Sequence, residues 1–235
     1  YKEGHIPGAI NLPVFNDEER VEIGTLYKNE GRENAVIRAY ELVVPKLNNY
    51  EKEIRKISTG NKILVHCWRG GMRSEGFAWF ARALGFEVSF LNGGYKAYRK
   101  FIREDFSRLC KIVILSGMTG TGKTDILHHM IKLGEQVLDL EGMANHRGSA
   151  FGALGQEEQP TNEQFENNLY DVWKDFDFSK AIWVEDESRK VGKVVINETL
   201  YLQMRNAPVV KINVEKNHRI GYLIEEYAGF DQHIL

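Results

Sequence analysis

At 235 residues the chain is about one and a half times the usual ~150 residues per domain, so two small domains or one large one is expected. Hydrophobic residues at 43% and charged residues at 27% are ordinary for a globular chain, 11% aromatics excludes extended disorder, and no run approaches the ~18 apolar residues of a transmembrane helix. The net charge of −2 hides an asymmetry, because residues 1–110 carry 18 Lys/Arg against 14 Asp/Glu and residues 111–235 carry 13 against 19.

Gly and Pro punctuate a turn at residues 4–8, and Ala9 to Leu12 predicts a short strand. Residues 34–57 are helix-periodic, with Pro45 splitting or kinking the stretch. Lys62 to Cys67 reads as a buried strand broken by Gly70 and Gly71. Arg73 to Leu84 is a helix stopped by Gly85, Glu87 to Leu91 a strand, and Tyr95 to Leu109 a basic amphipathic helix. The pattern restarts with a strand from Lys111 to Ser116, a Gly-rich turn and a helix over 123–133. Strands at 136–140, 181–185 and 209–215 then alternate with helices at 163–175, 197–205 and 218–228. Alternating strands and helices predict an α/β chain with two parallel-sheet domains, 1–108 and 109–235. Residues 142–160 lack periodicity and read as a loop.

Gly117-Met118-Thr119-Gly120-Thr121-Gly122-Lys123-Thr124 matches G-x-x-x-x-G-K-[ST] between an apolar strand and a helix. Backbone amides at Gly117, Thr119, Gly120, Thr121 and Gly122 would curl around phosphate oxygens. The helix N-terminus adds partial positive charge, Lys123 neutralises the outer phosphates, and Thr124 is the candidate Mg²⁺ ligand. The strand ending in Glu185-Asp186-Glu187 fits a carboxylate position near the phosphates; Asp186 is the chosen candidate, although three consecutive acids do not reveal which points inward.

His66-Cys67-Trp68-Arg69-Gly70-Gly71-Met72-Arg73-Ser74 links a strand to a helix. Inward amides, a helix N-terminus and the arginines Arg69 and Arg73 would favour a Cys67 thiolate and form a cradle for an anion, with Trp68, Gly70, Gly71 and Met72 completing the loop. Cys110 has no such setting and reads as structural; two cysteines make no disulfide framework and suggest cytosolic thiols. A basic cluster from Lys96 to Lys111, including Arg99, Lys100 and Arg103, is either a polyanion contact or a solvated helix face.

Gly4-His5-Ile6-Pro7-Gly8-Ala9 and the Cys67 loop resemble the two signatures of rhodaneses. Five residues separate Cys67 from Arg73 where the sulfurtransferase loop usually has four, a spacing that resembles Cys-X5-Arg phosphatases and makes room for a tetrahedral, phosphate-sized group. Together with the phosphate loop, Gly24 to Lys28, Leu91 to Lys96, and Asp139-Leu140-Glu141 through His146-Arg147-Gly148-Ser149, nearly the whole chain resembles the tRNA 2-selenouridine synthases. The missing opening strand and the shorter C-terminal part relative to that family suggest a chain truncated at both ends.

The resemblance implies a cytoplasmic enzyme that replaces the sulfur of wobble 2-thiouridine in tRNA with selenium. Geranyl diphosphate would first convert the sulfur to a leaving group, and selenophosphate, from a separate supplier, would then deliver selenium. It further implies that Cys67 is nucleophile or selenium carrier, that the phosphate loop holds the diphosphate, and that Lys96, Arg99, Lys100 and Arg103 contact RNA. An apolar groove, with Phe151, Leu154 or Trp183 as candidates, would take the geranyl chain, and His146 and Arg147 are either ligand contacts or surface residues. The rivals are an ATP-dependent rhodanese-type sulfurtransferase or kinase, a Cys-X5-Arg phosphatase, and a non-catalytic RNA-binding module. Nothing in the sequence selects an oligomeric state or a set of tRNAs.

Overall fold

The structure, a computed structural model, describes residues 1–149 and 152–227. The chain divides into two compact units, one spanning Gly8–Arg99 and the other joining Tyr1–Pro7 to the chain from Lys100 onward.

The first unit opens with α1 (Asp17–Asn29), which starts where Asn16 and Glu19 form a reciprocal capping box and three acids occupy the first turn. This helix carries few apolar residues and was not expected from periodicity. Ala9–Leu12, expected as a strand, forms none. The long helix expected over 34–57 is α2 (Arg32–Val43), a 3-10 turn at Val44–Lys46, and α3 (Leu47–Ile57). Pro45 lacks an amide proton, and its ring forbids a continuous helix through this point. α3 buries Tyr50 and Ile54, and the Tyr50 hydroxyl lies 3.1 and 3.0 Å from the carbonyls of Pro13 and Val14.

The parallel pair β1 (Lys62–Val65) and β2 (Glu87–Phe90) runs in register from Lys62 opposite Glu87 to Val65 opposite Phe90. Between them, α4 (Met72–Ala83) lays Ala78 and Ala81 on a core with Ile54, Phe86 and Val88. The expected buried strand is therefore only half covered: Ile63 and Val65 pack on this core while Leu64, on the opposite face, is 61% exposed. α5 (Gly94–Asp105) follows, with Tyr95, Arg99 and Ile102 buried.

The second unit is built on a four-stranded parallel sheet in the order β4-β5-β3-β8, comprising β3 (Lys111–Gly117), β4 (Gln136–Leu138), β5 (Ala181–Glu185) and β8 (Val209–Ile212). Both neighbours of β3 run parallel to it, so the end of β3 lies within the C-terminal edge of the sheet, where ligands of such sheets bind. The helices are α6 (Lys123–Lys132), α7 (Leu140–Ala144), α8 (Asn162–Trp173), α9 (Glu198–Arg205) and α10 (Lys216–Tyr227). Leu127 of α6 packs with Leu115 and Val137, and Phe165, Leu169 and Trp173 of α8 are fully buried. The expected loop at 142–160 carries the end of α7 and some turns. A short antiparallel hairpin, β6 (Lys190–Val191) with β7 (Val194–Val195), was not foreseen, because two-residue strands leave no periodic signal. Among the described residues, no helix is long and apolar enough to cross a membrane.

Candidate functional site

The cysteine loop connects β1 to α4 and is pinned from one side by the start of α5. Gly94 has φ +62°, and a Cβ there would collide with the Cys67 carbonyl oxygen and the Gly70 amide. Only glycine allows this approach, and its result is two backbone bonds: Tyr95 N donates to Cys67 O and Lys96 N to Trp68 O, each at 2.9 Å. The opening amides of α5, which have no partner within their own helix, are thus satisfied by the loop carbonyls. This gives the Leu91-Asn92-Gly93-Gly94-Tyr95-Lys96 stretch its physical role.

Cys67 Sγ lies 3.3 Å from Ser74 Oγ, which is itself 2.9 Å from Gly71 O. Burial pushes the Cys67 thiol up, but the bond from Ser74 Oγ and backbone bonds at Arg69, Gly71 and Ser74 outweigh it and bring its pKa down to about 7. A substantial thiolate fraction at neutral pH follows, and the Ser74 hydroxyl sits between the sulfur and Gly71 O, within reach of both. Ser74 was visible in the motif, but its role depends on the first turn of α4 folding back over Cys67. Cys110 is the opposite case: burial alone raises it to about 11, and its Sγ lies 3.5 Å from Gln203 Oε1, as suits a structural thiol. Arg69, Arg73, Trp68 and Met72 stand exposed around the mouth, with Arg32 Nη2 3.7 Å from the Met72 sulfur.

The phosphate loop leaves β3 at Gly117 and enters α6 at Lys123, with Gly120 (φ +81°) and Gly122 (φ +70°) in backbone conformations that favour glycine. At Gly120 a Cβ would come within 2.7 Å of Arg219 O, and Arg219 reaches back to Thr119 O (3.4 Å) and Val214 O (3.2 Å). Lys123 Nζ donates to Gly117 O at 3.0 Å, folded over the loop, and Thr124 Oγ1 donates to the Glu141 carboxylate at 3.0 Å. Thr121 is buried, and its Oγ1 has no hydrogen-bond partner.

The acids at the end of β5 separate by strand alternation. Glu185 is fully buried, accepts from Leu140 N at 3.1 Å, and is held well above the usual carboxylate range by burial and by Asp139. Asp186 accepts from Ser116 Oγ at 2.7 Å and lies 3.7 Å from Arg205. Glu187 is the acid of the three that feels the Lys123 charge. Burial and hydrogen bonding to Glu141 push its carboxyl up to about 8, with Lys123 opposing. Glu187, paired with Glu141, thus lies within electrostatic reach of Lys123, while Asp186, the expected candidate, is engaged by Ser116 and Arg205. A Cβ on Gly148 would collide with both carboxylates, which is why His146-Arg147-Gly148-Ser149 needs glycine there. His146 Nδ1 is 3.2 Å from Gly148 N, engaged within its own loop. Thr124 and Glu141 offer oxygens suited to a Mg²⁺ ion held chiefly by substrate phosphates, although no cluster of three or more His, Cys, Asp or Glu that could hold a metal occurs among the described residues.

Two further expectations change. In the basic cluster, Lys96 and Lys100 are exposed and Arg103 pairs with Glu166 at 3.0 Å, but Arg99 is only 5% exposed and is not available to an RNA backbone. The spacing Tyr95, Arg99, Ile102, Phe106 is that of the buried stripe of the helix, which captures the arginine. Of the groove candidates, Trp183 packs on the core of Leu115, Leu127 and Val137, Leu154 is half-buried, and Phe151 lies outside the described residues. A pocket of about 280 Å³ lies instead beside the phosphate loop, lined by Met118, Thr121, Ile212, Asn213, Val214 and Arg219, among others.

A family model described as the tRNA 2-selenouridine synthase AAA domain matches residues 110–233, and one described as the Rhodanese-like domain matches residues 1–101. Curated relatives named tRNA 2-selenouridine synthase are 36% identical in Nitrosomonas europaea, 39% in Bdellovibrio bacteriovorus and 36% in Pseudomonas fluorescens. Each match covers 97% of this chain and 60%, 62% and 63% of the relative, respectively. The chain therefore spans about three fifths of the length of these relatives. With a rhodanese-like cysteine loop and a P-loop combined in the family's order, the chain belongs to the tRNA 2-selenouridine synthase family.

Proposed function

We propose that this chain carries the two anion sites of a selenotransferase acting on wobble 2-thiouridine of tRNA in the cytoplasm. The reading is carried by one observation: a cysteine loop whose hydrogen bonds favour a thiolate and a phosphate loop leading into α6 occur in one chain.

In the first step, the loop from Gly117 to Thr124 holds the diphosphate of geranyl diphosphate, with Lys123 neutralising the charge that develops as it leaves and Mg²⁺, where bound, held at Thr124. The thiocarbonyl sulfur bonds to the geranyl carbon, and the carbon–oxygen bond to diphosphate breaks. The pocket at Met118, Ile212 and Val214, contiguous with the loop at Thr121, is assigned to the geranyl chain. In the second step, selenium replaces the geranylated sulfur, which leaves as the thiol. Selenium of selenophosphate bonds to C2 as the C2–S bond breaks, and Cys67 then attacks the phosphorus carried on that selenium: the S–P bond forms, the P–Se bond breaks with its electron pair left on the selenium of the nucleoside, and water later clears the phosphocysteine as phosphate. Arg69 and Arg73 hold the phosphoryl oxygens, and Lys96 and Lys100 contact the RNA backbone. A separate enzyme supplies selenophosphate.

The test is to incubate 2-thiouridine tRNA with geranyl diphosphate, with and without selenophosphate, and to read nucleoside masses, using full-length protein. Geranylated product without selenophosphate and selenouridine with it is the expected result; no mass change overturns the reading. The Cys67–Arg73 spacing also fits a phosphatase, which would instead release phosphate from aryl phosphates.

A further inference from the structure

We propose that Trp68 is the stacking platform for the unpaired wobble base, holding it over the cysteine loop. This assignment rests on the tRNA reading above.

Trp68 directly follows the nucleophile, and its indole is 47% exposed. A large aromatic side chain at the mouth of an anion site is not needed to bind phosphate, and exposure denies it the stabilisation of core packing. Its position is nevertheless tightly determined. Lys96 N holds the Trp68 carbonyl at 2.9 Å, and the neighbouring Cys67 carbonyl is held by Tyr95 N. The indole lies 5.6 Å from the Tyr95 ring, centroid to centroid, and Tyr95 in turn stacks on His66 at 6.3 Å and on Tyr98 at 6.0 Å. Tyr95 is 4% exposed while His66 and Tyr98 are half-buried, so Trp68, tilted by 50° against the Tyr95 ring, is the exposed member of an aromatic cluster centred on a buried ring.

The surroundings fit a nucleotide. Met72 is 49% exposed on the same rim, and Arg69, Arg73 and Arg32 add exposed guanidiniums. Aromatic faces, a thioether and guanidinium planes are the groups that receive an unstacked base and its phosphates. A base must leave the anticodon stack before chemistry at its C2 position, and an indole fixed beforehand offers it a replacement surface without the entropy cost of ordering a loop. A phosphatase or a persulfide carrier acting on a small anion has no use for this surface.

The experiment measures binding of full-length protein to a short anticodon stem-loop RNA bearing 2-thiouridine, and to the same RNA with an abasic wobble position. Trp68→Ala is expected to weaken binding of the thiouridine RNA about tenfold, and Trp68→Phe to restore it to within about twofold of wild type. The abasic RNA should bind wild type about tenfold more weakly, yet bind wild type and Trp68→Ala alike, because the partner of the indole is then gone. Cys67 alkylation rates and thermal midpoints matching wild type establish that the loop is intact. Equal binding of the thiouridine RNA by wild type and Trp68→Ala, or an equal loss on the abasic RNA, overturns the stacking role. If wild type converts 2-thiouridine tRNA, the selenotransferase reading survives that loss; if it neither binds nor converts this RNA, both fall.

Discussion

The cysteine loop and the phosphate loop solve the same problem with different parts. Each follows a parallel strand, turns on glycines with positive φ and opens a helix, so each presents amides and a helix N-terminus to an anion. The cysteine loop is held by a neighbouring helix start through Gly94, Tyr95 and Lys96, whereas the phosphate loop is held through Lys123 and by Arg219 from α10. The chemistry each contains differs accordingly. Around Cys67 the hydrogen bonds outweigh burial and a thiolate results. Around Lys123 two carboxylates, Glu141 and Glu187, are packed so closely that one keeps its proton. In the proposed reaction the first cradle attacks and the second holds the leaving group.

The broadest way to break this comparison is to disable each cradle separately. Cys67→Ser should lower selenium transfer by about a thousandfold or more while leaving geranyl transfer within about twofold, and Lys123→Ala should lower geranyl transfer about a hundredfold. Nucleoside masses from the two half-reactions check both, and loss of both half-reactions in either variant would show that the sites do not divide the chemistry.

Next in size is the clamp on the cysteine loop. Gly94→Ala forces a Cβ against Cys67 O in a left-handed backbone conformation, and should destabilise the first unit by about 3 kcal/mol. Chemical denaturation measures this, and Gly24→Ala, where a Cβ meets nothing within 4 Å, is the control.

A smaller effect sharpens the origin of the thiolate. Alkylation of Cys67 should rise through pH 7 in the wild type. Ser74→Ala removes the largest of the stabilising bonds, moves that midpoint upward, and should slow alkylation at pH 7 about threefold. An unchanged profile would assign the lowered pKa to the backbone alone.

A last test concerns the acid pair. Glu187 holds its proton to about pH 8 in the folded chain against an ordinary value of 4.5, so the folded state binds more protons between those values. The stability this contributes is fully present below pH 4.5 and is lost as pH rises through 8. Glu187→Gln should flatten this fall, which thermal midpoints from pH 5 to 9 would record; a fall of unchanged slope would mean that Glu187 is ionised throughout.

The limits of sequence reading follow the range of the interactions involved. The phosphate loop and the cysteine loop were legible because their residues are contiguous and their turns need glycine locally. Pro45 marked its helix break for the same reason. α1 was missed because caps and acids, not an apolar stripe, define it. Arg99 was misread because a basic residue within a basic run gives no sign of lying on the buried stripe of its helix.

By itself, the sequence determined the alternating α/β order, the family, and the two loops with their cysteine and lysine, since each is written in local spacing. Tertiary structure alone decided that Glu187 pairs with Glu141 across 46 residues, that Asp186 turns to Ser116 instead, and that Gly94 locks the cysteine loop. These depend on which side of a strand end a residue leaves and on how closely two distant backbones approach, and neither is encoded in the neighbours of a residue along the chain.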